Sequence, residues 1–252
     1  MKRMSFTYRA LLAAGYYGLV LLWTAALGVA SPVLYGFFRW MKKMGPGRAM
    51  REVVWVYGRG WSKIFAAFTP TSYRGTDRVF PLPCIFVANH QSFFDAYFIG
   101  ALDFPDVVFI VRSWPFRIPF YGFFMRKAEY INAESMSAEE FIDAGKKALE
   151  GGASLVVFPE GTRSYTSDMG RFRSGAFVLS LATGAPIVPI CLDGTGGFLR
   201  RGEFLPRPAR VRVTMLEPLF PEEYASLGEG AHRALRREAK ARLQKALQQY
   251  GE

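Results

Sequence analysis

Histidine and cysteine are scarce in this chain, two of each among 252 residues. Cys84 and Cys191 lie far apart in apolar, strand-like runs, which excludes a disulfide framework and offers no metal-ligand spacing; two buried, reduced thiols are expected. With His90 and His232 as the whole imidazole supply, a zinc cluster is excluded and no metal site is expected. Internal repeats and low-complexity tracts are missing. So are zinc-finger spacing, an RNA-binding aromatic motif and a long basic run interleaved with aromatics, so nucleic acid is not an expected partner. What the chain has in excess is positive charge: 32 Lys and Arg against 21 Asp and Glu, a formal +11. That balance suits anionic partners such as phospholipid headgroups or an acidic protein.

No charged residue occurs from Ala10 to Phe38, a stretch long enough to cross a bilayer as a helix. Half of all residues are hydrophobic and 16% are aromatic, more than a soluble core of this size needs. Three readings fit the apolar stretch. It is a spanning helix, a cleaved secretory signal ending near Gly28-Val29-Ala30, or a re-entrant hairpin broken at Ser31-Pro32, where proline removes a helical hydrogen bond. Basic residues flank it on both sides, with Lys2, Arg3 and Arg9 before and Arg39, Lys42 and Lys43 after, so charge asymmetry sets no orientation.

The length fits one α/β domain with an appendage. Residues 1–45 read as a membrane anchor or re-entrant hairpin, and 46–82 as an amphipathic connector carrying Val53, Trp61, Ile64 and Phe65 among Arg51, Arg59 and Lys63. Residues 83–220 read as the domain core. Short apolar runs at 84–88, 107–111, 155–158 and 187–192, with an alternating run at 210–214, predict strands. Helices are predicted at 92–102, at 137–149, where Ser137 and Glu140 form a capping box, and at 174–183. Continuous apolar strands alternating with helices imply an α/β sandwich with a mostly buried sheet flanked by helices. Residues 221–252 predict a basic helix with the stripe Leu235, Ala239, Leu243 and Leu247; His232 at its start reads as a solvated bystander.

Polar chemistry concentrates after two buried strands. In Asn89-His90-Gln91-Ser92-Phe93-Phe94-Asp95, five helical steps of about 100° would leave His90 and Asp95 roughly 140° apart, so the pair meets only if His90 is in the loop. Ser92 as N-cap would place Asp95 in the first turn, facing back. A carboxylate on one imidazole nitrogen makes the other a base for a substrate hydroxyl. The competing reading is that Asp95 only caps the helix and His90 is a polar loop residue. In Phe158-Pro159-Glu160-Gly161-Thr162-Arg163-Ser164, the chain turns at Gly161 and Arg163 suits a phosphate. There Glu160 binds an acceptor hydroxyl or holds Arg163, or the two form an ordinary surface ion pair.

Together these stretches resemble the 1-acylglycerol-3-phosphate acyltransferase family of glycerolipid acyltransferases. NHQSFFD is similar to its His-x4-Asp motif and FPEGTRS to its phosphate-site motif, in the same order. Phe172-Arg173-Ser174-Gly175-Ala176 and Ala185-Pro186-Ile187-Val188-Pro189-Ile190 resemble later family segments. The resemblance covers roughly Pro83 to Pro218. It implies a glycerolipid-acyltransferase-like α/β sandwich with an N-terminal membrane-associated helical element. It also implies His90 as general base, Asp95 as its orienting acid, and Glu160, Gly161, Thr162 and Arg163 around the acceptor headgroup. The implied reaction moves a fatty acyl group from acyl-CoA or acyl-carrier protein to a lysophospholipid in phospholipid biosynthesis, at the cytoplasmic face of the cell membrane. No cofactor or metal is implied. The second family block is only partly matched: Ile118-Pro119-Phe120-Tyr121-Gly122 resembles its centre, but Asn132 stands where relatives often carry a basic phosphate ligand, with Arg126 or Lys127 as possible substitutes.

Overall fold

The computed structural model describes residues 6–104, 106–163, 169–199, 203, 205–207 and 209–249. Helix α1 (Phe6–Gly36) runs into a π-helical turn (Phe37–Met41), and after a reversal helix α2 (Pro46–Phe68) packs back against it. The helix passes straight through Ser31-Pro32 rather than breaking there. Proline leaves the carbonyl four residues earlier without its usual N–H, and Ser31 Oγ donates to that carbonyl, Gly28 O, at 2.8 Å. The chain turns instead at residues 42–45, where Lys43 adopts φ 54°. The segment Ala10–Met41 is long and apolar enough to cross a membrane, and Leu21, Leu22, Val29 and Val33 are exposed on it.

Inside the hairpin, Trp23 Nε1 donates to Tyr57 O at 3.0 Å, and the Thr24 and Tyr57 hydroxyls meet at 2.9 Å. The amphipathic pattern of α2 is realised: Val53, Trp55, Trp61 and Phe65 are buried. Its start is tied to the rest of the chain by Arg51, whose Nε and Nη2 donate to the two oxygens of Asp106 at 2.6 and 3.2 Å, with Nη1 3.2 Å from Ala128 O.

Strand β1 (Thr71–Arg74) follows at once, so the sheet begins inside the stretch that hydropathy reads as connector. It is an edge strand with alternating exposure and needs no apolar run. Then come β2 (Ile85–Ala88), the short helix α3 (Asp95–Ile99), β3 (Val107–Val111), α4 (Ser113–Phe116), α5 (Pro119–Lys127) and β4 (Ile131–Asn132). Next are α6 (Ala138–Glu150), β5 (Ser154–Val157), α7 (Gly175–Thr183), β6 (Ile187–Asp193), α8 (Thr195–Phe198) and β7 (Val211–Met215). A 3₁₀ stretch (Pro221–Gly230) leads into α9 (Ala231–Gln248). The capping box at the start of α6 is present: Ser137 Oγ accepts from Glu140 N at 3.2 Å, and Glu140 accepts from Ser137 N at 2.7 Å.

The seven strands form one sheet in the order β1-β7-β6-β2-β5-β3-β4. From β6 to β4 neighbours are parallel; β7 is antiparallel to β6, and β1 is parallel to β7. Side chains alternate across it. Phe86, Ala88, Phe109, Val156 and Val188 join the core under α2 and α3 on one face. Ile85, Val87, Val108, Leu155 and Ile187 meet α7 and α9 on the other. Burial on both faces is why these strands read as unbroken apolar runs. Cys84 and Cys191 are free and fully buried, and burial pushes both thiols up to about 12.

Candidate active site

Chemistry-bearing residues gather where parallel strands end, as ligand sites in α/β sheets do. Strand β2 is central, and Asn89 follows it, fully buried. Its Nδ2 donates to Leu192 O and its Oδ1 accepts from Leu192 N, each at 2.8 Å, which anchors the end of β2 to β6. His90 therefore leaves the sheet at a fixed point.

Beyond it the chain makes a turn before α3 starts. The expected helix 92–102 is shortened to Asp95–Ile99, and at its start Asp95 turns its carboxylate back onto the preceding loop. Asp95 Oδ2 accepts from Gln91 N at 2.7 Å and Ser92 N at 2.8 Å, and lies 2.8 Å from His90 Nδ1. Ser92 is not the helix N-cap; that position is Phe94, and Ser92 Oγ accepts from Phe94 N at 3.4 Å within the turn. Asp95 therefore does not act only as a helix cap: one oxygen both holds the loop and meets the imidazole. Two backbone N–H groups can only donate, so Oδ2 is an acceptor and the proton between it and His90 belongs on Nδ1. In the neutral tautomer this fixes, Nε2 carries the lone pair. The ring stacks on Phe158, centroids 4.3 Å apart, and lines a cavity of about 650 Å³.

Phe158 begins the second motif, directly after β5. Gly161 takes φ +70°, where a side chain would be strained, and Arg173 Nε lies 2.9 Å from the place a Cβ would occupy. Gly161, Thr162 and Arg163 line the cavity with His90. Glu160 is not among its lining residues. Its Oε1 accepts from His90 N at 2.9 Å and its Oε2 from Gly170 N at 2.8 Å. A carboxylate that sequence reasoning set beside the acceptor thus joins the two motif loops to each other, across 70 positions of chain. Ser164 lies outside the described residues.

The cavity is mostly apolar. Phe93, Ala96 and Tyr97 come from the α3 region, Trp114, Ile118 and Tyr121 from α4 and α5, and Phe141 and Ile142 from α6. A second cavity of about 140 Å³ adjoins it between α1, α2 and α5, sharing Ala96, Tyr97, Val111, Tyr121 and Met125. At the junction the Tyr121 hydroxyl meets those of Tyr57 at 2.9 Å and Tyr97 at 3.1 Å. Arg112 and Glu134 form an ion pair of 2.5 Å on the lining of the larger cavity. Two hydrogen bonds, first from the Ser113 N–H and then from the Arg112 side chain, hold the Glu134 carboxyl below its ordinary value.

Asn132 accepts from Ser113 Oγ at 2.9 Å and does not line the cavity. Arg126 donates to Phe116 O at 2.9 Å, and neither it nor Lys127 lines either cavity, so neither stands in for a cation at position 132. His232 also lies outside both linings. Sequence reasoning quoted Arg173 and Asn89 only as members of the family-like segments and gave neither a role; the structure puts Arg173 on the cavity lining and Asn89 in the anchor between β2 and β6. Among the described residues, no three His, Cys, Asp or Glu side chains form a group able to hold a metal ion.

Comparison with known proteins places this geometry. Residues 71–193 match the family model described as Acyltransferase. Over 142 residues the chain is 37% identical to a chloroplastic 1-acyl-sn-glycerol-3-phosphate acyltransferase of Brassica napus, covering 55% of this chain and 41% of that one. Over 174 residues it is 31% identical to the 1-acyl-sn-glycerol-3-phosphate acyltransferase of Saccharomyces cerevisiae, covering 63% and 55%. The matches span about half the length of these curated relatives. The fold is that of the crystal structure of the 1-acyl-sn-glycerophosphate acyltransferase from Thermotoga maritima: TM-score 0.66 at 21% identity, over 91% of this chain and 96% of that one. The segment 71–193, which carries both motifs, is thus the part of this chain that is similar to the acyltransferase family.

Proposed function

We propose that this protein transfers a fatty acyl group from an acyl thioester to the free hydroxyl of a lysophospholipid, 1-acylglycerol-3-phosphate above all, giving phosphatidate. The observation that carries the reading is the His90–Asp95 pair, 2.8 Å apart, lining one cavity with Gly161, Thr162 and Arg163. Its relatives' names supply the substrate class.

In this mechanism His90 Nε2 removes the proton from the acceptor hydroxyl as its oxygen attacks the thioester carbonyl. Asp95 keeps the other imidazole proton in place and stabilises the imidazolium that forms. Collapse of the tetrahedral adduct breaks the carbon–sulfur bond, and His90 returns the proton to the departing thiolate. No enzyme-bound acyl intermediate, metal or prosthetic group takes part. Arg163 holds the acceptor phosphate by paired N–H donors, and the apolar walls take the acyl chains. Glu160, held between two backbone N–H groups, positions His90 rather than the acceptor.

The apolar N-terminal hairpin sets the cavity beside the bilayer, where a lysolipid already resides. Exposed Phe93, Trp114 and Ile118 line the cavity, and Phe120 on α5 lies against Gly28 of α1, so apolar surface runs from the hairpin to the site. We assign the catalytic domain to the cytoplasmic side, where acyl thioesters are found.

The test uses purified protein in detergent micelles with a labelled acyl thioester and a panel of acceptors. Lysophosphatidate is expected to give phosphatidate, with neutral-headgroup lysolipids slower. Release of free fatty acid without lipid product would make the protein a thioester hydrolase and overturn the assignment.

A further inference from the structure

The larger cavity has a second, differently charged border. Ser174 and Gly175 line it, and Ser174 Oγ accepts from Arg236 Nη1 of α9 at 2.7 Å. Lys240, one turn further along α9, lies over the Phe172 ring at 5.8 Å. At about 100° per residue, Arg233, Arg236, Arg237 and Lys240 fall within about 100° of arc on this helix. Arg233 and Arg237 are exposed, and none of the four has an ion-pair partner among the described residues. The one carboxylate within α9, Glu238, is bound to Arg242 at 2.8 Å on the other side of the helix. Arg171 and Arg173, both exposed, extend the same strip to the cavity itself.

This strip is on the wrong side of the sheet to serve as a membrane contact. The hairpin α1–α2 covers one face and α9 the other. A concentration of unpaired cations that faces away from the apolar hairpin yet reaches the cavity suits a soluble, strongly acidic macromolecule whose cargo must enter that cavity. We infer that the Arg233–Arg237–Lys240 face of α9, continued by Arg171 and Arg173, is the docking surface for an acidic acyl-carrier protein that delivers the acyl thioester. The inference rests on the acyl-transfer reading of the site and adds a docking face to it. Lipid acceptor and protein-borne donor then approach the cavity from opposite sides of the sheet, and complementary charge accelerates encounter with the carrier.

The test compares the full-length protein with the triple variant Arg233→Glu/Arg237→Glu/Lys240→Glu, none of whose positions lines the cavity. Both receive acyl-carrier protein and CoA thioesters of one chain length. The expected result is a KM for the carrier-protein donor raised at least about tenfold at low salt, with kcat and the acyl-CoA parameters within about twofold. Raising salt should bring the unaltered protein's KM for the carrier towards the variant's. An equal rise for both donors would assign the strip to CoA phosphates, and no rise for either would leave it without a donor role; each overturns the proposal. If the unaltered protein transfers no acyl group from either donor, the reading of the site fails. Docking is then judged from fluorescence anisotropy of labelled carrier protein: binding lost in the triple variant supports this face, and equal binding by both proteins overturns it. Arg233→Gln/Arg237→Gln/Lys240→Gln guards against misfolding from charge reversal and should show a smaller rise in the same sense.

Discussion

Glu160→Gln separates two roles for a residue that sequence reasoning set beside the acceptor. The glutamate offers two acceptor oxygens, and the backbone N–H groups of His90 and Gly170 use one each at 2.9 and 2.8 Å. Glutamine keeps the shape but has one oxygen and one NH₂, so whichever way it turns, one of those N–H groups faces a donor. The site is only 9% exposed, so water does little to compensate. A buried donor left without its partner costs about 1–3 kcal/mol. For a chain of this size, that lowers the apparent melting temperature by about 2–12 °C. The His90 backbone is one of the two groups affected, and misplacing a reacting group by about 1 Å can cost on the order of 100-fold in rate. Steady-state transfer with varied acceptor, alongside thermal melting followed by circular dichroism, should therefore show kcat reduced about 10- to 100-fold and acceptor KM changed by less than about threefold. A large rise in acceptor KM with unchanged kcat and melting temperature would refute the positioning argument and make Glu160 an acceptor ligand.

Asp95→Asn removes the charge opposite the imidazole while leaving an oxygen for the Gln91 and Ser92 N–H groups, and should lower kcat by about 10²–10⁴ in a fold that circular dichroism finds intact. Arg163→Lys replaces a paired donor with a point charge. It should raise the KM for phosphate-bearing acceptors by about tenfold while neutral lysolipids react as before, measured as initial rates across the acceptor panel. Arg51→Met removes both charge-assisted hydrogen bonds to Asp106, 5% exposed, and leaves it only the longer Arg48 contact at 3.6 Å; urea unfolding should show a loss of about 1.5–3 kcal/mol.

The parts of this fold that could be read in advance are those whose physics is local. Strands β2, β3, β5 and β6 are buried on both faces, so each is a continuous apolar run, and the Ser137–Glu140 capping box is legible because both partners lie within one turn. Strand β1 escaped because Thr71-Ser72-Tyr73-Arg74 sits at the edge and is half solvated. The reversal at 42–45 escaped because Pro32 is the louder signal, and nothing in the sequence states that Ser31 supplies the donor that the proline lacks. The site divides in the same way. His90 and Asp95 are five residues apart, and a loop argument brings them together. Glu160 meets His90 across 70 positions, Asn89 meets Leu192 across 103, and neither bond leaves a periodic trace. Arg173 crosses the turn close to Gly161, where a Cβ would lie 2.9 Å from its Nε, a contact between segments that no local pattern records.

The most direct test of the central claim is the rate at which His90→Ala forms labelled phosphatidate from acyl-CoA and lysophosphatidate, set against the unaltered protein in the same micelles. The account predicts a loss of at least about 10²-fold, with the fold intact by circular dichroism. A variant that makes phosphatidate within about threefold of the unaltered rate would contradict the assignment of His90 as the base.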